Sequence, residues 1–385
     1  MANEKNILVV DDSALMRRLV SDIINSDSRY IVGKTAHDGE EALKFISKEN
    51  FDAIILDVNM PKMGGLELLR ELQKKKINVK VMMFSSTTAE GTRETIEALE
   101  LGAVDFIKKP DSVSELKDDR FKKQFLEMLT AVSGAKPIGL TRSVNRTSAS
   151  ISTAGRLSKD RNPIITRQSG QCEFTHIDDN QKIVLRNTGH TTGTNKIVAI
   201  ACSTGGPRAL HSVIPKLPKN LNAPVLLVQH MPAGFTKSLA DRLDSLSEIK
   251  VKEAEDGEIV EKGCVYIAAG GKHMNAGRSG QNTRIYYSDE PIREGVKPSA
   301  NYMYESLMDS RYDGICCAVL TGMGADGTVG IRNLDKKKKI YVIAQDEPTS
   351  AVYGMPKAVA LAGLVNEIQP LEKIAEAITK DVGVR

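Results

Sequence analysis

The chain has 385 residues, more than one ordinary core usually holds, and its net charge of +4 is small for that length. A protein that grips phosphate backbones is usually more basic or carries a concentrated basic face, so nucleic acid is not the expected partner. The N-terminal MANEKNILVVDDS has no basic segment followed by a long apolar run, and no stretch approaches the ~20 apolar residues of a membrane helix. The expectation is therefore a cytoplasmic, monomeric protein without membrane insertion. Five cysteines, Cys172, Cys202, Cys264, Cys316 and Cys317, form no CxxC pair, and the odd count argues against a disulfide framework.

The first part alternates short apolar runs (NILVV, YIVGK, AIILDV, VKVMMFSS, VDFIKK) with segments of helical period such as ALMRRLVSDII and GLELLREL. Such alternation predicts βα units on a parallel sheet, here a flavodoxin-like doubly wound α/β domain over residues 1–134. Residues 135–195 turn to Ser, Thr, Asn, Arg and Gly and read as a linker, with one island, CEFTHIDDNQKIVLRN, patterned as a β-hairpin. From 196 to 385 the alternation resumes through KIVAIAC, PVLLVQH, CVYIAA, ICCAVLTG and IYVIAQD. This predicts a second, Rossmann-like α/β domain with a mostly parallel sheet and an antiparallel edge hairpin turning at Ser279 to Asn282.

Ligands of open parallel sheets bind at the carboxyl ends of the strands. In the first domain those ends carry Asp11 and Asp12, Asp57, Ser85 and Lys109. Three carboxylates gathered at one edge call for a hard cation, and Mg²⁺ suits oxygen ligands. A metal beside Asp57 would neutralise an incoming phosphoryl group, Lys109 would add a point charge, and Ser85 offers a hydroxyl that can bond a phosphoryl oxygen. Any one of these residues alone reads better as a solvated loop group. Together, over residues 5 to 130, they resemble the response-regulator receiver family. That resemblance implies Asp57 as phospho-acceptor, Asp11 and Asp12 in a Mg²⁺-binding acidic pocket, Ser85 as switch hydroxyl, Lys109 as phosphate sensor, Phe106 as a mobile aromatic, and a histidine kinase as phosphodonor.

In the second domain KIVAIAC runs straight into Ser203-Thr204-Gly205-Gly206-Pro207 and a helical pattern. Taken alone, Ser203 reads equally as a helix N-cap or as a nucleophile with backbone N–H groups beside it. The next strand ends at His230, and ICCAVL ends in a glycine-lined loop with Asp326, which could set its carboxylate against His230 Nδ1. Serine, base and orienting acid at three strand ends satisfy the roles of acyl transfer in the order Ser, His, Asp. ACSTGGP, QHMPAGFT and LTGMGADG are then similar to the signature segments of the chemotaxis protein-glutamate methylesterases, the CheB family, whose members carry an N-terminal receiver. The resemblance implies Ser203 as nucleophile, His230 as general base and Asp326 as its partner, with Thr204 and Met323 shaping the oxyanion site. It implies hydrolysis of glutamate methyl esters, and deamidation of glutamines, on the cytoplasmic helices of chemoreceptors, without a cofactor in this domain. Two positions depart from the family pattern, Ala269 and Asn301, where proline and aspartate are usual. His273 reads as a loop histidine at the rim of the site rather than as a participant.

Overall fold

A computed structural model describes residues 4–86, 88–110, 112–135, 183–187, 189–190 and 195–385. The N-terminal domain holds strands β1 (Lys5–Val10), β2 (Tyr30–Ala36), β3 (Ala53–Asp57), β4 (Val81–Ser85) and β5 (Asp105–Lys108) in the order β2-β1-β3-β4-β5. All pairings are parallel, and β1, β3, β4 and β5 are mostly buried, as their continuous apolar runs lead one to expect, whereas the edge strand β2 is largely exposed. Helices α1 (Ala14–Asn25), α2 (Gly39–Ile46), α3 (Gly65–Lys74), α4 (Ala89–Glu100), α5 (Val113–Leu116) and α6 (Asp119–Gly134) cover the sheet. Their starts are set locally: the side chains of Ser13, Asp38, Thr88 and Asp118 each accept a backbone N–H from the first turn.

The C-terminal domain has a seven-stranded sheet in the order β14-β13-β12-β6-β7-β9-β8. Its strands are β6 (Lys196–Cys202), β7 (Val225–Gln229), β8 (Lys250–Glu253), β9 (Cys264–Ile267), β12 (Gly314–Val319), β13 (Lys339–Gln345) and β14 (Glu367–Gln369). Every pairing is parallel. The helices are α7 (Gly206–Val213), α8 (Phe235–Leu246), α9 (Ala300–Ser306), α10 (Thr328–Asp335), α11 (Met355–Leu361) and α12 (Ile374–Val382). Strand order reverses between β6 and β12, which opens a crevice at their carboxyl ends. The hairpin does form, as β10 (His273–Ser279) and β11 (Asn282–Ser288). It is a separate two-stranded sheet rather than an extension of the sheet edge, because β10 turns its buried residues Met274 and Ala276 into the core beneath α9. Of the hairpin expected in the linker, residues 172–182 lie outside the described residues. The following 183–187 form no strand, and Arg186 ties them to the domain through its N–H to the Val365 carbonyl (2.8 Å) and a bond to Asp335 (3.0 Å).

The two domains pack face to face. Phe106 on β5 stacks on Phe235 of α8 with ring centroids 4.4 Å apart, and both belong to one apolar cluster that runs across the boundary. Around it, Thr92 of α4 meets Ser238 of α8 (3.0 Å), and Arg242 grips Glu100 with two bonds of 2.6 and 2.9 Å. His211 of α7 lies 2.8 Å from the same Glu100. Cys202, Cys264, Cys316 and Cys317 are buried free thiols in the sheet, as the apolar run ICCAVL leads one to expect of Cys316 and Cys317.

Candidate active site

Ser203 and His230 follow directly from Cys202 and Gln229, which are partners in the β6–β7 ladder. Register alone therefore makes them neighbours, and the His230 N–H donates to the Cys202 carbonyl at 3.2 Å. The turn after Ser203 is tight: the Gly206 N–H donates to the Ser203 carbonyl (2.7 Å), and Gly205 has φ +75°, where a side chain would be strained. Ser203 is half-buried, backed by Gly322, where a Cβ would lie 2.8 Å from that of Ser203. The Ser203 N–H donates to the Thr321 carbonyl at 3.0 Å, which ties the β6 end to the β12 end across the crevice.

Asp326 lies buried on the loop between β12 and α10 and pairs with His230 at 2.8 Å. The nitrogen that meets it is Nε2, not the Nδ1 expected from sequence. Asp326 is anchored by the first residues of α9, accepting from Ala300 N–H (2.6 Å), Asn301 N–H (3.1 Å) and the Ser299 hydroxyl (2.8 Å). It therefore approaches the imidazole from its Nε2 end. Burial pushes the Asp326 carboxyl up, but the His230 bond, the Ala300 N–H and the Ser299 hydroxyl outweigh it and hold it below the usual carboxylate range. A buried anion, an imidazole and a half-buried serine are thus brought to one strand edge. Met323 sits half-buried on the same loop.

Thr204 is buried, and its hydroxyl faces the other domain. It lies 3.9 Å from Met128 Sδ on α6 and near enough to the carboxylate of Asp105 on β5 to oppose the upward shift that burial gives that acid. The N-terminal domain thus places a carboxylate beside the serine crevice, within electrostatic reach of His230. Burial raises the Asp105 carboxyl to about 6. Sequence reasoning missed this residue, since an acid at the start of a strand carries no mark of a contact about a hundred positions away. It also missed Gln229, whose side-chain amide donates to the Ser203 carbonyl at 3.0 Å. His273 is fully buried rather than at the rim: it begins β10 and bonds Ser299 and Pro291.

At the carboxyl edge of the first sheet, ligand oxygens of Asp11, Asp12 and Asp57 lie within 4.8 Å of one another. Lys109 Nζ bridges Asp57 (2.6 Å) and Asp11 (2.8 Å). The three carboxylates offer hard oxygen donors at one point, the set a divalent cation takes, and the residues fit one. Burial raises the Asp57 carboxyl to about 6, although Lys109 opposes the shift. Ser85 is fully buried and turns away from Asp57: its hydroxyl pairs with Thr95 of α4 at 2.5 Å and lies 3.3 Å from the Gly91 carbonyl.

Comparison with known proteins identifies both halves of the chain. Residues 7–119 match the response regulator receiver domain and residues 198–378 the CheB methylesterase domain. The chain is 41% identical to the protein-glutamate methylesterase/protein-glutamine glutaminase of Bacillus subtilis, over 98% of each chain. It is 40% identical to that of Pyrococcus abyssi, over 98% of this chain and 93% of the relative. The crystal structure of the Thermotoga maritima CheB methylesterase catalytic domain is 42% identical over 49% of this chain and 99% of that one, with a TM-score of 0.47. Matched in both halves and along nearly its whole length, the chain belongs to the CheB methylesterase family, with a response regulator receiver domain ahead of the catalytic one.

Proposed function

We propose that this protein is a phosphorylation-controlled serine esterase of the cytoplasm that hydrolyses glutamate methyl esters on chemoreceptors and deamidates receptor glutamines. The observation that carries the reading is the buried Asp326–His230 pair beside Ser203 at the β6/β12 crevice. Ser203 Oγ attacks the ester carbonyl and its proton passes to His230. The tetrahedral intermediate expels methanol, which takes that proton, and leaves an acyl-serine. His230 then deprotonates water, which attacks the acyl carbon; the serine leaves with the proton and a glutamate carboxylate remains. From an amide the first leaving group is ammonia. Backbone N–H groups at the start of α7 are suited to the oxyanion, with Thr204 and Met323 shaping that side of the site.

The receiver supplies control. Asp57 is the phospho-acceptor, a histidine kinase the phosphodonor, and Asp11, Asp12 and Asp57 would hold Mg²⁺, which when bound offsets the charge of the phosphoryl oxygens. In the unphosphorylated form Lys109 satisfies Asp57 and Asp11, and Ser85 satisfies α4. A phosphoryl group recruits both side chains. Ser85 then releases Thr95 on α4, the helix that also carries Thr92 and Glu100 into the domain contact. Loss of that contact withdraws Asp105 and Met128 from Thr204 and opens the crevice.

The test is methanol release from methyl-labelled receptor by the intact protein and by Ser203→Ala, each before and after a small phosphodonor with Mg²⁺. Release that depends on Ser203 and rises with phosphodonor is expected. Equal release by both proteins would refute the serine mechanism, and release indifferent to phosphodonor would refute the control.

A further inference from the structure

Asp326 is bonded more fully than an orienting acid needs. Oδ2 accepts from His230 Nε2 (2.8 Å) and the Ala300 N–H (2.6 Å), and Oδ1 from the Ser299 hydroxyl (2.8 Å) and the Asn301 N–H (3.1 Å). A carboxylate offers about four lone-pair positions, so these donors fill it. Three of them belong to consecutive residues, and among those three only Ser299 gives a side chain.

Ser299 is itself held. It is fully buried, and its N–H donates to His273 Nδ1 at 3.2 Å. His273 Nε2 in turn donates to the Pro291 carbonyl at 3.2 Å, which fixes the neutral Nε2–H tautomer. A serine just ahead of a helix ordinarily caps that helix with its oxygen; Ser299 makes no such bond. Its single hydroxyl hydrogen goes to Asp326.

We infer that Ser299, braced by His273, is a positioning residue for the esterase reaction: its hydroxyl fixes the Asp326 carboxylate against His230, so that His230 presents its other nitrogen to Ser203. The inference rests on the reading of Ser203, His230 and Asp326 given above. Two alternatives differ in sign. If the hydroxyl fixes the carboxylate against His230, its removal loosens Asp326 and lowers the imidazole's affinity for a proton. If the hydroxyl only draws off charge from Asp326, its removal concentrates that charge on His230 and raises that affinity. The other titratable groups that bear on the pair are Asp105 of the receiver, Glu294 and Arg293 ahead of α9, Tyr304 and Glu305 on α9, and His273. None is altered by a substitution at Ser299.

The experiment measures kcat and KM for methanol release from methyl-labelled receptor across pH, using the full chain with phosphodonor and Mg²⁺. Ser299→Ala is expected to lower kcat by about 10–100-fold, the scale of a hydrogen bond to a charged group. KM should stay within about twofold and the acid limb of kcat/KM should move to lower pH. Unchanged kcat, or a limb moved to higher pH, overturns the proposal. Should Ser299→Ala fail to fold, Ser299→Thr and Ser299→Val decide, because they share a shape and differ in the hydroxyl. The threonine variant is expected to be the more active by about tenfold or more, and equal activity overturns the proposal. Ser203→Ala run beside them tests the underlying esterase reading independently.

Discussion

Asp57 holds its charge against its surroundings. Burial raises its carboxyl to about 6 despite Lys109, while an unfolded aspartate titrates near ~3.9. An acid raised in this way favours the fold when protonated: the advantage is complete below about pH 4 and is lost as pH rises through 6. At neutral pH without a divalent cation the receiver therefore bears a cost of about 2–3 kcal/mol at this one residue. Asp57→Asn is expected to raise the melting temperature of the Mg²⁺-free receiver domain by several degrees, and added Mg²⁺ should then stabilise the parent protein but not the variant. Calorimetry with and without EDTA checks both. A lower melting temperature would mean that the Lys109 pair outweighs burial. Asp57, Ser203 and His230 were all legible in the sequence because each ends an apolar run, where strand and loop meet. Ser299 and Asp105 were not, because what gives them a role is a partner 27 and 99 positions away.

At the level of elements, α4 carries both ends of the coupling proposed above. Its Thr95 and the Gly91 carbonyl satisfy Ser85 within the receiver, while Thr92 and Glu100 reach the catalytic domain. Glu100 draws Arg242 and His211 together, although burial holds the His211 imidazole below its ordinary pKa, more neutral than charged. Arg242 is partly exposed, so its pair with Glu100 is worth at most about 1 kcal/mol. Arg242→Ala should raise the activity of the unphosphorylated enzyme by up to about fivefold and leave the phosphorylated activity unchanged. Assays with and without phosphodonor decide, and no rise would remove this pair from the closed state. The long βα alternation made both sheets readable. The short strands β8 and β14 escaped notice, since KVKE and EIQ have neither the length nor the apolar run of a buried strand. The hairpin was foreseen but not its independence from the main sheet, which depends on what β10 packs under.

For the whole molecule, docking of the domains buries a carboxylate. Asp105 sits between Thr204 and the receiver core with its pKa raised to about 6. The docked form holds a proton that an undocked, solvated aspartate would release near ~3.9. Docking is thus firmest below about pH 4, weakens as pH rises through 6, and stays weakened at neutral pH. Asp105→Asn keeps an acceptor for Thr204 and removes the charge. It is expected to dock more tightly at pH 7, with lower activity before phosphorylation, and to lose the pH dependence of compactness that small-angle scattering should record for the parent between pH 4 and 7. Higher unphosphorylated activity in this variant would mean that the charge of Asp105 holds the domains together.

The burial of Cys202, Cys264, Cys316 and Cys317 has a use beyond packing. Burial raises all four thiols, those of Cys202, Cys316 and Cys317 far above their ordinary range, and such thiols react slowly with alkylating reagents at neutral pH. With Cys172 replaced by serine, the folded chain offers almost no background to a maleimide. In that setting Ser203→Cys would put a thiol beside the His230 imidazole, where proximity to a base favours the thiolate. Its rate of labelling would then count how often the crevice stands open, as a clock rather than a catalyst, and would quicken when the receiver is phosphorylated.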